Sequence, residues 1–295
     1  MASQTAITLT AGKLRLELSP SVGGAISAFE WLDGQSRRPI LRKCNSSLQN
    51  VLGAASFPLV PYVNRIREGR FTFRGREVRL QPNMPGDPSP LHGQGWLSPW
   101  RVDESSTSSA SLSFRHAADE WPWDYEAGQE FALDERGLSA RLTCRNTSGE
   151  PMPCGLGFHP YYPCGPETRI DTEVAHAWTI DEKVLPVEKV PAEGRYDLRG
   201  RRVCGQNLDN GWDGWGGSAR MSDPAWPYDL EMSSREARFF QLYSPATGGI
   251  FVAEPVTHAN AALNEPEQDW SRLGLRVLQP GDAMSLDMRL EVIAK

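Results

Sequence analysis

Asp134-Glu135-Arg136-Gly137-Leu138-Ser139-Ala140-Arg141-Leu142-Thr143 places a turn signal directly before a run in which apolar and polar side chains alternate. A period of two sends successive side chains to opposite faces of a pleated backbone, which is the pattern of a half-buried strand and not of a helix. The same reading recurs at Leu14-Arg15-Leu16-Glu17-Leu18 and Ser111-Leu112-Ser113-Phe114-Arg115. It returns at Arg238 to Tyr243, Gly249 to Val252 and Met284 to Ile293. Asp33-Gly34, Arg74-Gly75, Thr247-Gly248-Gly249 and Pro280-Gly281-Asp282 separate the runs as turns. With 27 glycines and 23 prolines, no long helical period survives. The expectation is an all-β fold, mostly antiparallel, built as a large sandwich or barrel. No linker, repeat or low-complexity tract interrupts residues 1–295, so one domain is expected.

A chain of 295 residues with 39% hydrophobic and 23% charged side chains is long enough to bury a substantial core. The net charge of −6 offers no general attraction to nucleic acid or an anionic membrane. No apolar run approaches a membrane span, and Met1 to Leu16 lacks a signal-peptide pattern, so a cytoplasmic protein is expected. Five cysteines, an odd number, fit reduced thiols better than a disulfide framework. Cys144, Cys154 and Cys164 match none of the usual metal-ligand spacings, so no metal is expected. Asn45-Ser46-Ser47 and Asn146-Thr147-Ser148 fit the glycosylation sequon, which matters only for a secreted chain.

Five segments carry ionisable or aromatic groups in restricted backbone. In Gly155-Leu156-Gly157-Phe158-His159-Pro160-Tyr161-Tyr162-Pro163, Pro160 pushes His159 out of the α region and toward an extended strand end. An imidazole so held can donate and accept a proton near neutrality. Phe57 to Phe71 approaches a Gly69 turn through two prolines, with Asn64-Arg65 just before it; the Arg65 fork suits hydroxyls or a phosphate, against the alternative of a solvated arginine-rich hairpin. Leu91-His92-Gly93-Gln94-Gly95-Trp96 reads as a loop in which His92 can bond hydroxyls and Trp96 can face a sugar or cap the core. Asn207 to Gly217 reads as turn-rich, with Asp209 and Asp213 available to a ligand or to turn backbone. Phe251-Val252-Ala253 reads as an apolar strand ended by Glu254-Pro255, where partial desolvation would raise the carboxyl and make it a better base. Thr257 to Asn264 then reads as a loop returning over a pocket, while His116 and His176 are expected to be structural or exposed.

The order and spacing of Asn64-Arg65, His92, His159, Asp209 and Glu254 resemble the aldose 1-epimerase (galactose mutarotase) family, over most of the chain from about Phe57 onward. The resemblance implies a galactose-mutarotase-like β-supersandwich. It makes Glu254 the general base and His159 the general acid, with Arg65, His92, Asp209, Asn64 and Trp96 around the sugar; Asp213 is the fallback for Asp209. Pro160 directly after His159, and His258-Ala259-Asn260-Ala261 beyond Glu254, depart from the common pattern and are similar to a less-studied bacterial branch.

The implied activity is the interconversion of α and β anomers of a free aldose, without a cofactor. One group takes the proton of the anomeric hydroxyl while the other protonates the ring oxygen, and the roles reverse on closure. The expected partner is a small sugar, with no nucleic acid or membrane, acting on a monomer or weak homodimer. The alternatives are a hexose-6-phosphate mutarotase, a non-catalytic carbohydrate-binding protein, and a glycosidase pairing Glu254 with Asp209 or Asp213.

Overall fold

The computed structural model describes residues 6–34, 36–44 and 48–295; the Asn45-Ser46-Ser47 sequon lies outside them. The alternating runs form strands where they were expected, and among the described residues their ladders are antiparallel. The run that follows the Asp134 turn becomes Gly137–Asn146, paired on one side with Tyr125–Asp134 and on the other with Ala283–Ala294. These three strands sit in the middle of a nine-stranded sheet that continues through Tyr228–Ser233 on one side and Ser109–His116 on the other. Leu138, Ala140, Leu142 and Cys144 point inward, and Ser139, Arg141 and Arg145 point outward, so burial follows the period read from the sequence.

The second large sheet has eight strands. Its central pair is Phe239–Ser244 and Ile250–Val256, with Leu208–Asp213 beside the first and Gly157–Phe158 and Tyr161–Pro163 beside the second. The two sheets pack across a shared core in which the Tyr162 hydroxyl reaches Met232 Sδ at 3.7 Å. A four-stranded sheet, Ile7–Ala11 to Ser36–Pro39, completes the apolar interior. Among the described residues no helix is long and apolar enough to cross a membrane.

Two segments differ from the sequence reading. Leu208–Asp213 is a strand, not a turn. Its Asx and glycine signals are overridden by pairing with Phe239–Ser244 and by burial of Leu208, Asn210 and Trp212. Glu254 does not end its strand, since Ile250–Val256 runs on through Pro255. The carboxyl therefore sits inside the sheet, opposite Gln241. The second sequon asparagine, Asn146, is fully buried, and its Nδ2 donates to the Glu150 and Leu278 carbonyls.

Candidate active site

Register brings the site's acids together. Glu254 lies opposite Gln241, and Asp209 lies opposite Tyr243 two residues along the same strand as Gln241. Because side chains alternate, Asp209, Gln241, Tyr243 and Glu254 share one face. Gln241 Nε2 donates to Asp209 Oδ1 at 3.2 Å and couples the two neighbouring strands. Over this face lies a cavity of about 290 Å³ whose lining includes Asn64, Arg65, His92, His159, Asp209 and Glu254.

His159 enters between the short strands Gly157–Phe158 and Tyr161–Pro163, in the extended position Pro160 demands. Its backbone N–H donates to Phe57 O at 3.1 Å, and its ring stacks on Phe57 with centroids 4.5 Å apart and planes at 21°. Tyr161 packs beside it with ring centroids 4.6 Å apart and is itself covered by the Arg42 guanidinium at 3.5 Å. The imidazole is thus fixed by packing. His159 Nε2 lies 3.5 Å from Glu254 Oε1, while His159 Nδ1 and Glu254 Oε2 are buried without a protein partner. Burial pushes the Glu254 carboxyl well above the usual carboxylate range, with Asp209 adding to the rise, and pushes His159 down to about 3. Each group is driven toward its neutral form.

Asn64 and His92 both adopt left-handed backbone at φ 60°, a conformation costing of order 1–3 kcal/mol for residues other than glycine. The two hold each other there: His92 N–H donates to Asn64 O and Asn64 N–H donates to His92 Nδ1, both at 3.1 Å. An accepting Nδ1 leaves the His92 proton on Nε2, the form in which the ring offers a donor to a hydroxyl. Burial pushes His92 well below its ordinary value and keeps it neutral. At the adjoining Gly93, φ is 74° and a Cβ would lie 2.1 Å from Val60 O, so only glycine lets the His92 loop approach this closely.

Arg65 is buried. Its Nε donates to Asp87 Oδ2 at 2.9 Å, and its Nη1 to Asn64 Oδ1 at 3.0 Å. The residues expected at the site therefore meet, with two distinctions. Trp96 lines the cavity but its indole N–H is spent on the Leu91 and Gly93 carbonyls, and its ring stacks on Phe57 at 5.3 Å. Asp213 lies outside the cavity lining, where His176 Nδ1 and Lys189 engage its carboxylate, so Asp209 is the aspartate at the site. The Thr257 to Asn264 loop does not cover the cavity; it supports Arg65 from behind, with Asn260 Oδ1 accepting the Arg65 N–H at 3.1 Å. His258 is structural: Nε2 accepts from Val63 N–H and Nδ1–H donates to Ala259 O, both at 2.8 Å.

Asp87 and Gln241 were not anticipated. Asp87 sits in Pro85-Gly86-Asp87-Pro88, which reads as an ordinary turn, and its partner lies far away in sequence. Gln241 is one polar residue in an apolar strand, and that interruption was the available signal.

The sequence profile of the Aldose 1-epimerase family matches residues 5–291. An uncharacterized Escherichia coli K12 protein, YphB, is 33% identical over 299 residues, covering 98% of this chain and 99% of its own. A solved Escherichia coli K12 structure, named only provisionally as an aldose 1-epimerase, shares 32% identity with a TM-score of 0.88 over 99% of both chains. A galactose mutarotase-like protein from Clostridium acetobutylicum shares the fold at 18% identity, with a TM-score of 0.85 over 98% of this chain and 95% of its own. The architecture is the galactose-mutarotase-like β-sandwich, and the chain belongs to the aldose 1-epimerase family.

Proposed function

We propose that the protein interconverts the α and β anomers of a free, uncharged aldose, with Glu254 as general base and His159 as general acid. The observation that carries this reading is the opposition of a buried carboxyl and a buried imidazole, 3.5 Å apart, inside a cavity sized for one sugar ring. Ring opening needs one proton removed from the anomeric hydroxyl and one delivered to the ring oxygen. We assign the pair one proton to share between them, and it serves this purpose. With Glu254 ionised and His159 protonated, base and acid are in place; after opening, the proton taken from O1 rests on Glu254 and the imidazole is neutral. The C1–C2 bond rotates, and closure on the other face reverses the transfers. Proton transfer of this kind contributes roughly 10²–10⁴-fold.

Charge favours a free sugar over a sugar phosphate. Arg65 is the one Lys or Arg among the described residues lining the cavity, Asp87 neutralises it, and Asp209 and Glu254 face the same space. A dianionic phosphate would meet acids without a spare cation. The arginine-rich hairpin supplies none, since Arg67 is not among the cavity's lining residues and Arg70, Arg74, Arg76 and Arg79 are exposed, each within 4.0 Å of a glutamate carboxylate.

The test is NMR saturation exchange between the anomers of galactose, glucose and their 6-phosphates, with wild type and Glu254→Gln compared. Accelerated exchange of a free sugar, lost in the variant while the sugar still binds, supports the reading. Binding without exchange in wild type would make the protein a carbohydrate binder, and release of sugar from an aryl glycoside would make it a hydrolase.

A further inference from the structure

The scaffold behind the site contains a pair of thiols that the proposed chemistry does not use. Cys164 directly follows the strand Tyr161–Pro163, five residues after His159. Cys204 lies five residues before Asp209, on the segment leading into Leu208–Asp213. The Cys204 thiol packs against Cys164, with Sγ 3.5 Å from Cys164 O, and the two thiols interact directly. The backbone holds them there from a third side. Gly249, which leads into the strand of Glu254, donates its N–H to Cys204 Sγ at 3.2 Å and accepts the Cys164 N–H at 3.0 Å. Both cysteines are half-buried, so a small oxidant can reach them.

We infer that Cys164 and Cys204 form a redox modification site, at which hydrogen peroxide closes a disulfide across the segments bearing His159, Asp209 and Glu254. The Gly249 N–H donates to the Cys204 sulfur and also acts on Cys164, where burial outweighs it, so Cys204 is the attacking thiol. Burial and the neighbouring thiol push Cys164 above the usual thiol range, which makes it the poorer nucleophile and suits it to the second step. In the first step an S–O bond forms at Cys204 as the peroxide O–O bond breaks, and the departing hydroxide takes a proton to become water. In the second, Cys164 sulfur attacks Cys204 sulfur, the S–S bond forms, the S–O bond breaks, and hydroxide leaves with the Cys164 proton as a second water. The two sulfurs are oxidised together by two electrons, and one peroxide is reduced to two waters.

A second pair supplies an internal control. Cys144 and Cys154 also interact through their thiols, but both are fully buried in the core. Close approach is common to the two pairs; access is not. The folded protein should therefore oxidise at Cys164 and Cys204 and leave Cys144 and Cys154 reduced.

The experiment treats folded wild type with hydrogen peroxide, quenches by alkylation in denaturant, and maps the peptides without reduction. The expected result is a single cross-linked species joining the Cys164 and Cys204 peptides, two hydrogens lighter than their sum, with Cys144 and Cys154 alkylated. It should vanish in Cys204→Ser and in Cys164→Ser, and the oxidised wild type should melt several degrees above its reduced form because the bridge constrains the unfolded chain. Sulfinic acid at either residue without cross-linking, a Cys144–Cys154 bridge in its place, or no reaction at concentrations that oxidise free thiols would overturn the assignment. Every readout is a mass or a melting temperature, so the outcome is independent of whether the protein is a mutarotase.

Discussion

The outer face of the nine-stranded sheet and the face of the eight-stranded sheet turned away from the shared core both carry charged side chains at alternate positions, yet they treat them in opposite ways. On the outer face, a groove of about 800 Å³ is lined by Glu130, Arg141, Asp287 and Arg289 among serines. Its charges pair across strands, Arg141 with Asp287 at 3.4 Å and Arg289 with Asp134 at 2.9 Å, and water solvates the rest. On the cavity face of the eight-stranded sheet, Glu254 is 2% exposed, faces a second acid, and keeps one oxygen without a protein partner. The large groove is a solvated surface with satisfied charges, while the small cavity holds groups that the fold leaves unsatisfied. Size alone would point to the wrong one; an unpaired buried acid beside an imidazole points to chemistry.

That contrast can be broken most directly at Glu254. Glu254→Gln should lower anomer exchange by roughly 10²–10⁴-fold with sugar binding retained, measured by NMR exchange and by titration. Next in size is the Arg65–Asp87 pair. Asp87→Asn leaves a buried guanidinium without its counter-charge and should destabilise by about 3–5 kcal/mol, read by urea unfolding, with KM for the sugar rising more than kcat falls and Asp87→Glu recovering part of both.

A smaller effect runs the other way. The folded state raises the Glu254 pKa, so it binds that proton more tightly than the unfolded chain does. The resulting stability is fully present below the ordinary glutamate range and is lost as pH rises through the raised value. Glu254→Gln removes this loss and should melt above wild type at neutral pH, by about 2–4 °C for each kcal/mol recovered, with the gap shrinking toward pH 4. For the same reason, activity should fall on the alkaline side as the shared proton is lost, at a pH above that of an ordinary carboxyl. An enzyme whose rate limb sits at ordinary glutamate values would contradict the burial argument. Smallest of all, Arg141→Ala and Arg289→Ala on the outer face should each change stability by no more than about 0.5 kcal/mol and leave exchange untouched.

The two sheets also differ in how openly the sequence announces them. Strands of the nine-stranded sheet have one wet face, so Leu138 to Cys144 and Met284 to Val292 alternate cleanly and were legible by period alone. Phe239–Ser244 and Ile250–Val256 are covered on both faces, and the alternation blurs into continuous apolar runs. The strand through Pro255 was hidden for this reason, while Leu208–Asp213 keeps its alternation and was masked by its Asx and glycine turn signals. His159, His92 and Arg65 were legible because proline and glycine restrict the backbone beside them. Asp87 was not, because an aspartate in a Pro-Gly turn has a sufficient local explanation, and only the fold brings it to Arg65.

The middle of the nine-stranded sheet has a consequence for assembly. Ala283–Ala294 lies between Gly137–Asn146 and Tyr228–Ser233, with Gly137 opposite Glu291. Until it arrives, the two flanking strands each present an open hydrogen-bonding edge, and neither half of the sheet can join the other. Closing such distant pairings slows folding and leaves those edges free to recruit other chains in the interim. The chain is therefore at risk of self-association until this twelve-residue strand docks.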